Sequence, residues 1–205
     1  MKKKLTTLAL LGGLLTSPFA WADWKVNDEQ SHFSFLSVKA AKVGPDAATE
    51  VHRFKHIQGN LKKDGSFELS IPIKGLATGI EIRDERMMEM LFKESTYAAI
   101  AIKGAVDASQ LSAHKAGQFK DIEVEAELTI LDQTHPIKTT LRYTALDNDR
   151  FMVSTLNPII INGNEFNLSE GLVSLREIAG LAFISHTVPV DFDLIFDPER
   201  DNSRP

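Results

Sequence analysis

Residues 119–146 constrain this chain more than any other stretch. Ile122, Val124, Ala126, Leu128 and Ile130 alternate with Glu123, Glu125 and Glu127, and Ile137, Thr139, Leu141 and Tyr143 alternate with Lys138, Thr140 and Arg142. Successive side chains of a strand point to opposite faces, so a period of two marks strands with one dry and one wet face. Two such strands in succession predict an antiparallel hairpin. With Asp132-Gln133 at the turn, Glu127 faces Lys138, Glu123 faces Arg142 and Leu128 faces Ile137. A slip of one residue would expose the whole apolar set, so the faces are strongly specified. The glutamates could be read as acid/base groups, but a solvated face opposite basic residues accounts for them without chemistry.

The same period recurs at Ser31, Phe33 and Phe35, and again at Phe67, Leu69, Ile71 and Ile73. Turn signals separate the runs at Gly44-Pro45-Asp46, Lys63-Asp64-Gly65, Asp147-Asn148-Asp149 and Asn162-Gly163-Asn164, a spacing that predicts a β-sandwich or barrel. Two stretches break it. Residues 83–92 carry apolar side chains at three and four with no β-branched residue, which predicts a short amphipathic helix. Leu172, Leu175, Ile178 and Ala179 repeat likewise, with Ser169 placed to cap the start and Gly180 to end the helix. A last strand is expected over 187–196, and 197–205 reads as a polar, frayed tail.

The N-terminus predicts export. Lys2, Lys3 and Lys4 precede an apolar stretch over 5–16, then Pro18 and Ala20-Trp21-Ala22, the pattern of a cleaved secretory signal. A stretch this short falls below the roughly 20 residues a bilayer span needs. The expected division is a signal over 1–22 and one domain over 23–205. There is no cysteine, so thiol chemistry is excluded and stability in an oxidising compartment rests on the core. Without its three signal lysines the chain has 20 basic against 28 acidic side chains, a formal charge of −8. That argues against nucleic acid as a partner and against adsorption to anionic membranes by charge.

Catalytic and metal signals are weak. His52 and His56 have helical ligand spacing, but the alternation around them says strand, where they would lie about 13 Å apart at ~3.3 Å per residue, too far to share one zinc ion. Neither a Gly-x-Ser-x-Gly elbow nor a glycine-rich phosphate loop occurs, and Ser185 and His186 are expected on opposite faces of a strand. Arg83-Asp84-Glu85-Arg86 reads either as a catalytic cluster or as an ion-pair group opening the helix, with its acids suited to the helix dipole. Met87, Met88, Met90, Leu91 and Phe92 form a soft apolar face that either packs into a core or, in a wide enough barrel, lines a ligand cavity.

Taken in order, Trp24-Lys25-Val26-Asn27-Asp28, Ser31-x-Phe33-x-Phe35, Arg83-Asp84, the Met-rich helix, Phe92, Tyr97 and the run 128–136 resemble the YceI-like family of periplasmic polyisoprenoid-binding proteins. The runs 172–181 and 188–192 resemble the closing region of one of its branches. Gln30 stands where many members carry His, and Asn167 replaces the usual glycine after Phe166. The resemblance implies an all-β fold, an eight-stranded antiparallel lipocalin-like β-barrel with one or two short helices. It implies binding, transport or sequestration of a long-chain isoprenoid or quinone-precursor-like lipid in an apolar tunnel. Eight strands enclose room for one small ligand. It implies no covalent chemistry. No cofactor, no metal and no stable membrane insertion are expected, and a monomer or homodimer is. Phe33, Phe35, Met87, Met90, Leu91, Phe92 and Tyr97 are the expected lining, with Arg83 nearest a polar headgroup. Rival readings are an enzyme using Arg83, Asp84 and a nearby His on a lipid-like substrate, and an envelope stress or adhesion factor with a filled barrel.

Overall fold

The computed structural model describes residues 24–43, 47–111 and 115–199. The expected signal over 1–22, the expected Gly44-Pro45-Asp46 turn and residues 200–205 of the expected tail lie outside them. Thirteen strand segments, all antiparallel, combine into eight strands, because several are single strands interrupted by a short turn. These are β1 (Trp24–Val26 and His32–Ala41), β2 (Ala47–Phe54 and Gln58–Leu61), β3 (Ser66–Pro72 and Leu76–Ala77), β4 (Ala99–Ala105), β5 (Phe119–Ile130), β6 (Gln133–Ala145), β7 (Phe151–Thr155 and Ile159–Asn162) and β8 (Leu181–Ile184 and Thr187–Pro198). Each pairs with its sequence neighbour, and β8 returns to β1 through Trp24 opposite Pro198 and Phe33 opposite Phe192. The ring is therefore a closed eight-stranded antiparallel barrel with no free edge.

The interruptions let each strand serve two levels of the barrel. β1 breaks at a 3-10 turn, Asp28–Gln30, where the Asn27 side chain accepts from the Gln30 amide. β2 breaks after Phe54, where His56 takes a φ of 63°. His56 therefore leaves the strand the alternation had assigned it to, and its Nδ1 lies 3.5 Å from the Asp28 carboxylate. Ser185 and His186 likewise fall in the break between the two parts of β8, not on a continuous strand.

The β5–β6 hairpin has its acids outside and its apolar residues inside, as expected, but its register is two residues from the expected one. Leu131 and Asp132 form the turn, Ile130 pairs with Gln133, Glu125 with Lys138 and Asp121 with Arg142. Lys138 Nζ is 2.8 Å from Glu125, and Arg142 holds both Asp121 oxygens at 2.8 and 3.0 Å. A shift of two preserves the faces, so patterning alone could not detect it. The turn decides the register: Leu131 adopts a φ of 54° with its side chain buried, and Asp132 accepts from Asn167.

Two helical elements cover one end. α1 (Glu81–Arg86) runs into a π turn at Met87–Leu91, and α2 (Ser169–Ile178) packs across it. The contact is close. A Cβ at Gly171 would stand 2.6 Å from the Met90 carbonyl oxygen and 2.8 Å from Leu91 Cα. Ser169 does not cap α2. Leu168 holds the N-cap position with no side-chain bond to the helix, and Ser169 Oγ donates to Asn164 instead. Gly180 ends the helix with a φ of 64°, the left-handed conformation glycine adopts at no cost. Asn167, where the resemblance would put glycine, has a φ of 57°, a region asparagine tolerates better than most side chains. Asp197 and Pro198 belong to β8 and are not frayed. Asp197 accepts from Asn27 and Arg150.

The opposite end is filled by rings. Phe151 stacks on Phe196 at 4.8 Å and is flanked by Trp24 at 5.7 Å and Tyr143 at 5.0 Å.

Candidate functional site: an apolar cavity with a polar mouth

The inward face of the barrel beneath the two helices is not filled. A cavity of about 360 Å³ lies there, walled by Phe33 and Phe35 of β1, Phe54 of β2, Ile100 and Ile102 of β4, Leu128 and Ile130 of β5, and Val188 and Val190 of β8. β7 adds Ile159 and Ile161, and α2 adds Leu172 and Leu175. Rings line one side continuously: Phe192 stacks on Phe33 at 5.8 Å, Phe33 meets Phe54 at 6.2 Å, and Phe54 meets Phe92 at 5.9 Å.

Of the residues expected in the lining, Phe33, Phe35, Arg83, Met87, Leu91 and Phe92 stand in this wall, whereas Met90 and Tyr97 do not. Both are half-buried against the surrounding core. The π turn explains the division. Its Phe92 amide bonds to the Met87 carbonyl at 3.0 Å, which adds a residue to the turn. Met87 thereby shares a face with both Leu91 and Phe92, and Met90 falls outside it, its carbonyl close against Gly171 of α2. A regular 3.6-residue period does not anticipate that change of phase.

Polar groups gather at one end of the cavity, where Ile80, Ile82 and Ile178 line it and yet remain about half exposed at 49%, 51% and 51%. This end is the mouth. Glu50 Oε2 there accepts from Lys39 at 2.9 Å and from Arg83 at 2.7 Å. Arg83 also donates to the Thr78 hydroxyl and carbonyl, and Asp84 accepts from the Thr78 amide and hydroxyl. Arg83 and Asp84 thus both hold Thr78 and do not pair with each other. Burial pushes the Glu50 carboxyl up, but the hydrogen bonds from Lys39 and Arg83 outweigh it and hold the group below its ordinary range.

His52, 2% exposed, lies just inside the mouth with its Nε2 3.1 Å from Ser37 Oγ and its ring 5.2 Å from that of Phe35. From sequence it is weighed only as a metal ligand; the signal that could have found it is its place on the same strand face as Phe54, two residues on. Among the described residues no group of three or more His, Asp or Glu side chains could hold a metal ion. Burial first, and the Arg83 charge second, push the His52 imidazole below its ordinary range, so the native ring is neutral. An unfolded imidazole protonates near pH ~6.5. The stability tied to a neutral His52 is therefore intact above that pH and is lost as pH falls toward the lower native value. Urea midpoints should drop between about pH 7.5 and 5.5, above the range where carboxylates titrate. The drop should be smaller in His52→Phe, and equal drops in both proteins would place the effect elsewhere.

The sequence over residues 24–196 matches the family model of the YceI-like domain. The chain belongs to the YceI-like family. Among solved structures, this YceI-like protein is similar to a polyisoprenoid binding domain from Saccharophagus degradans implicated in plant cell wall breakdown. The two share 30% identity over 87% of this chain and 99% of that one, with a TM-score of 0.80. It shares the fold of BcnA from Burkholderia cenocepacia, at 18% identity, 83% and 98% coverage and a TM-score of 0.59. It also shares the fold of a YceI protein from Campylobacter jejuni, at 12% identity, 78% and 90% coverage and a TM-score of 0.56. No curated relative matches the chain. Among the described residues no helix is long and apolar enough to cross a membrane.

Proposed function

We propose that this YceI-like protein binds a long-chain isoprenoid, or a quinone-precursor-like lipid with a similar tail, and carries or sequesters it in the periplasm without altering it covalently. One observation carries the reading: a cavity of about 360 Å³ with a mostly apolar wall and a cluster of Lys39, Glu50 and Arg83 at its mouth. An amphiphile fits such a space tail first, with its headgroup near Arg83, Lys39, Glu50 and His52. The YceI-like fold supports lipid binding, and the Saccharophagus domain is described by its affinity for polyisoprenoids. A protein solvent is needed physically, because each methylene withdrawn from water is worth ~0.8 kcal/mol and a long tail cannot cross an aqueous compartment alone. Phe33, Phe35, Met87, Leu91 and Phe92 are the side chains proposed to touch the tail. Arg83 is bonded to Thr78 and Glu50, and Asp84 to Thr78, which favours binding over catalysis at this mouth.

The test is native mass spectrometry of protein purified from the periplasm, followed by solvent extraction. The expected result is added mass that leaves with the solvent as an isoprenoid lipid. A mature mass equal to the polypeptide alone, with nothing extractable, defeats the reading. Two variants then separate wall from packing. Phe92→Ala widens the cavity and should change which lipids co-purify, whereas Met90→Ala, outside the wall, should leave the lipid profile as it is.

A further inference from the structure

The barrel encloses a second void. Below the main cavity lies a chamber of about 80 Å³, with Leu69, Ile122, Val124, Phe151, Leu194 and Phe196 in its wall. Phe192 belongs to the walls of both chambers. The strands divide at the same level. On β8, Val190 faces the upper chamber and Leu194 the lower. On β5, Leu128 faces the upper and Val124 the lower, while Ala126, the inward residue between them, reaches neither. β6 repeats the pattern, with Ile137 above, Leu141 below and Thr139 between.

Inward residues at the dividing level are thus small on that side of the barrel, and on β4 the neighbour of Ala126 is Gly104. The space over Gly104 is taken by the ring of Phe67, its partner on β3, and on the strands across the barrel two further rings stand at this level. Phe33 and Phe192, paired across the seam where β1 meets β8, stack nearly parallel at 5.8 Å and 6°. Both are at least nine-tenths buried. Beyond them the lower chamber is closed in turn by the aromatic cluster around Phe151 and Phe196.

We propose that the Phe33–Phe192 stack is the floor of the tail tunnel and that Phe192 sets the longest tail the protein holds. This rests on the reading that the cavity takes an apolar tail. Between the mouth and the floor a tail lies against apolar wall. A longer tail must fold back or leave its end, or its headgroup site, in water, losing about fourfold in affinity for each methylene that stays exposed. Removing the ring joins the 80 Å³ chamber to the main cavity and adds the space the ring vacates.

The experiment offers delipidated protein an equimolar ladder of linear prenols from mixed detergent micelles, each one isoprene unit longer than the last. The bound lengths are read by native mass spectrometry. Wild type should show a sharp upper limit, and Phe192→Ala should move that limit up by at least one isoprene unit while the short end stays in place. Phe192→Leu, which keeps an apolar side chain at the floor and is safer for folding, should move it in the same direction. A general loosening of the fold would instead widen the distribution at both ends. An unchanged upper limit in a folded variant, or widening at both ends, overturns the floor. Wild type that takes up no prenol of any length removes the tail reading, and this inference with it.

Discussion

Protein stripped of its lipid should melt roughly ten degrees below protein that carries it. The argument is mass action: a ligand that binds only the folded state stabilises it by RT ln(1 + [L]/Kd), which reaches ~4 kcal/mol at a thousandfold excess over Kd. For a domain of this size each kcal/mol moves the midpoint by about 2–4 °C. The unfolded chain has nothing to offer a tail, since the wall is assembled from strands far apart in sequence, with Phe35 and Val190 facing each other across the seam. The check is differential scanning calorimetry of as-purified and delipidated protein at equal concentration, then of delipidated protein with the extract returned. Coincident melts would mean that nothing occupies the cavity, and with no extractable lipid the carrier proposal would fail.

Phe166→Ala should cost the lipid-free protein ~3–5 kcal/mol, the usual range for a buried ring reduced to a methyl group. Phe166 is 1% exposed and sits on the 3-10 turn Gly163–Phe166, between β7 and α2. Its ring meets the edge of His135 at 5.1 Å, and the adjacent Glu165 carbonyl accepts from His135 Nε2 at 2.9 Å. Together these contacts fasten the helical cover to β6. Phe166 is not in the cavity wall, so its loss should appear fully in delipidated protein and should not be repaired by added lipid beyond the ordinary ligand effect. Urea denaturation of the stripped variant measures it. A loss below ~1 kcal/mol would show that α2 is held chiefly by its approach to Met90 and Leu91.

The pattern of Ile122 to Ile130 against Glu123 to Glu127 made both the strand and its faces legible. Alternation is a local consequence of the extended backbone and survives whatever the strand pairs with. The two-residue register shift beside it was not legible, because it preserves every face. What chose it was the buried, left-handed Leu131 and the hydrogen bond between Asp132 and Asn167, a contact with the turn ahead of α2. Gly180 could be read as a helix stop because its conformation is local. Ser169 could not be excluded as a cap, because only the position of Asn164 shows where its hydroxyl is spent.

The site divides in the same way. Periodicity alone put Phe33 and Phe35 on one strand face and marked Met87, Met88, Met90, Leu91 and Phe92 as an apolar helix surface. Through its succession of motifs the sequence also pointed to the YceI-like family. Whether those faces would meet as solid core or stand apart around a void depends on the curvature and closure of eight strands, which no single strand records. The tertiary structure alone decided that Met90 stays out of the cavity wall, because the π turn alters the phase of the helix. It alone set His52 beside Ser37 at a mouth shared with Arg83 and Glu50, and split the interior at Phe192. Each of these depends on distances between chain segments that local propensity does not encode.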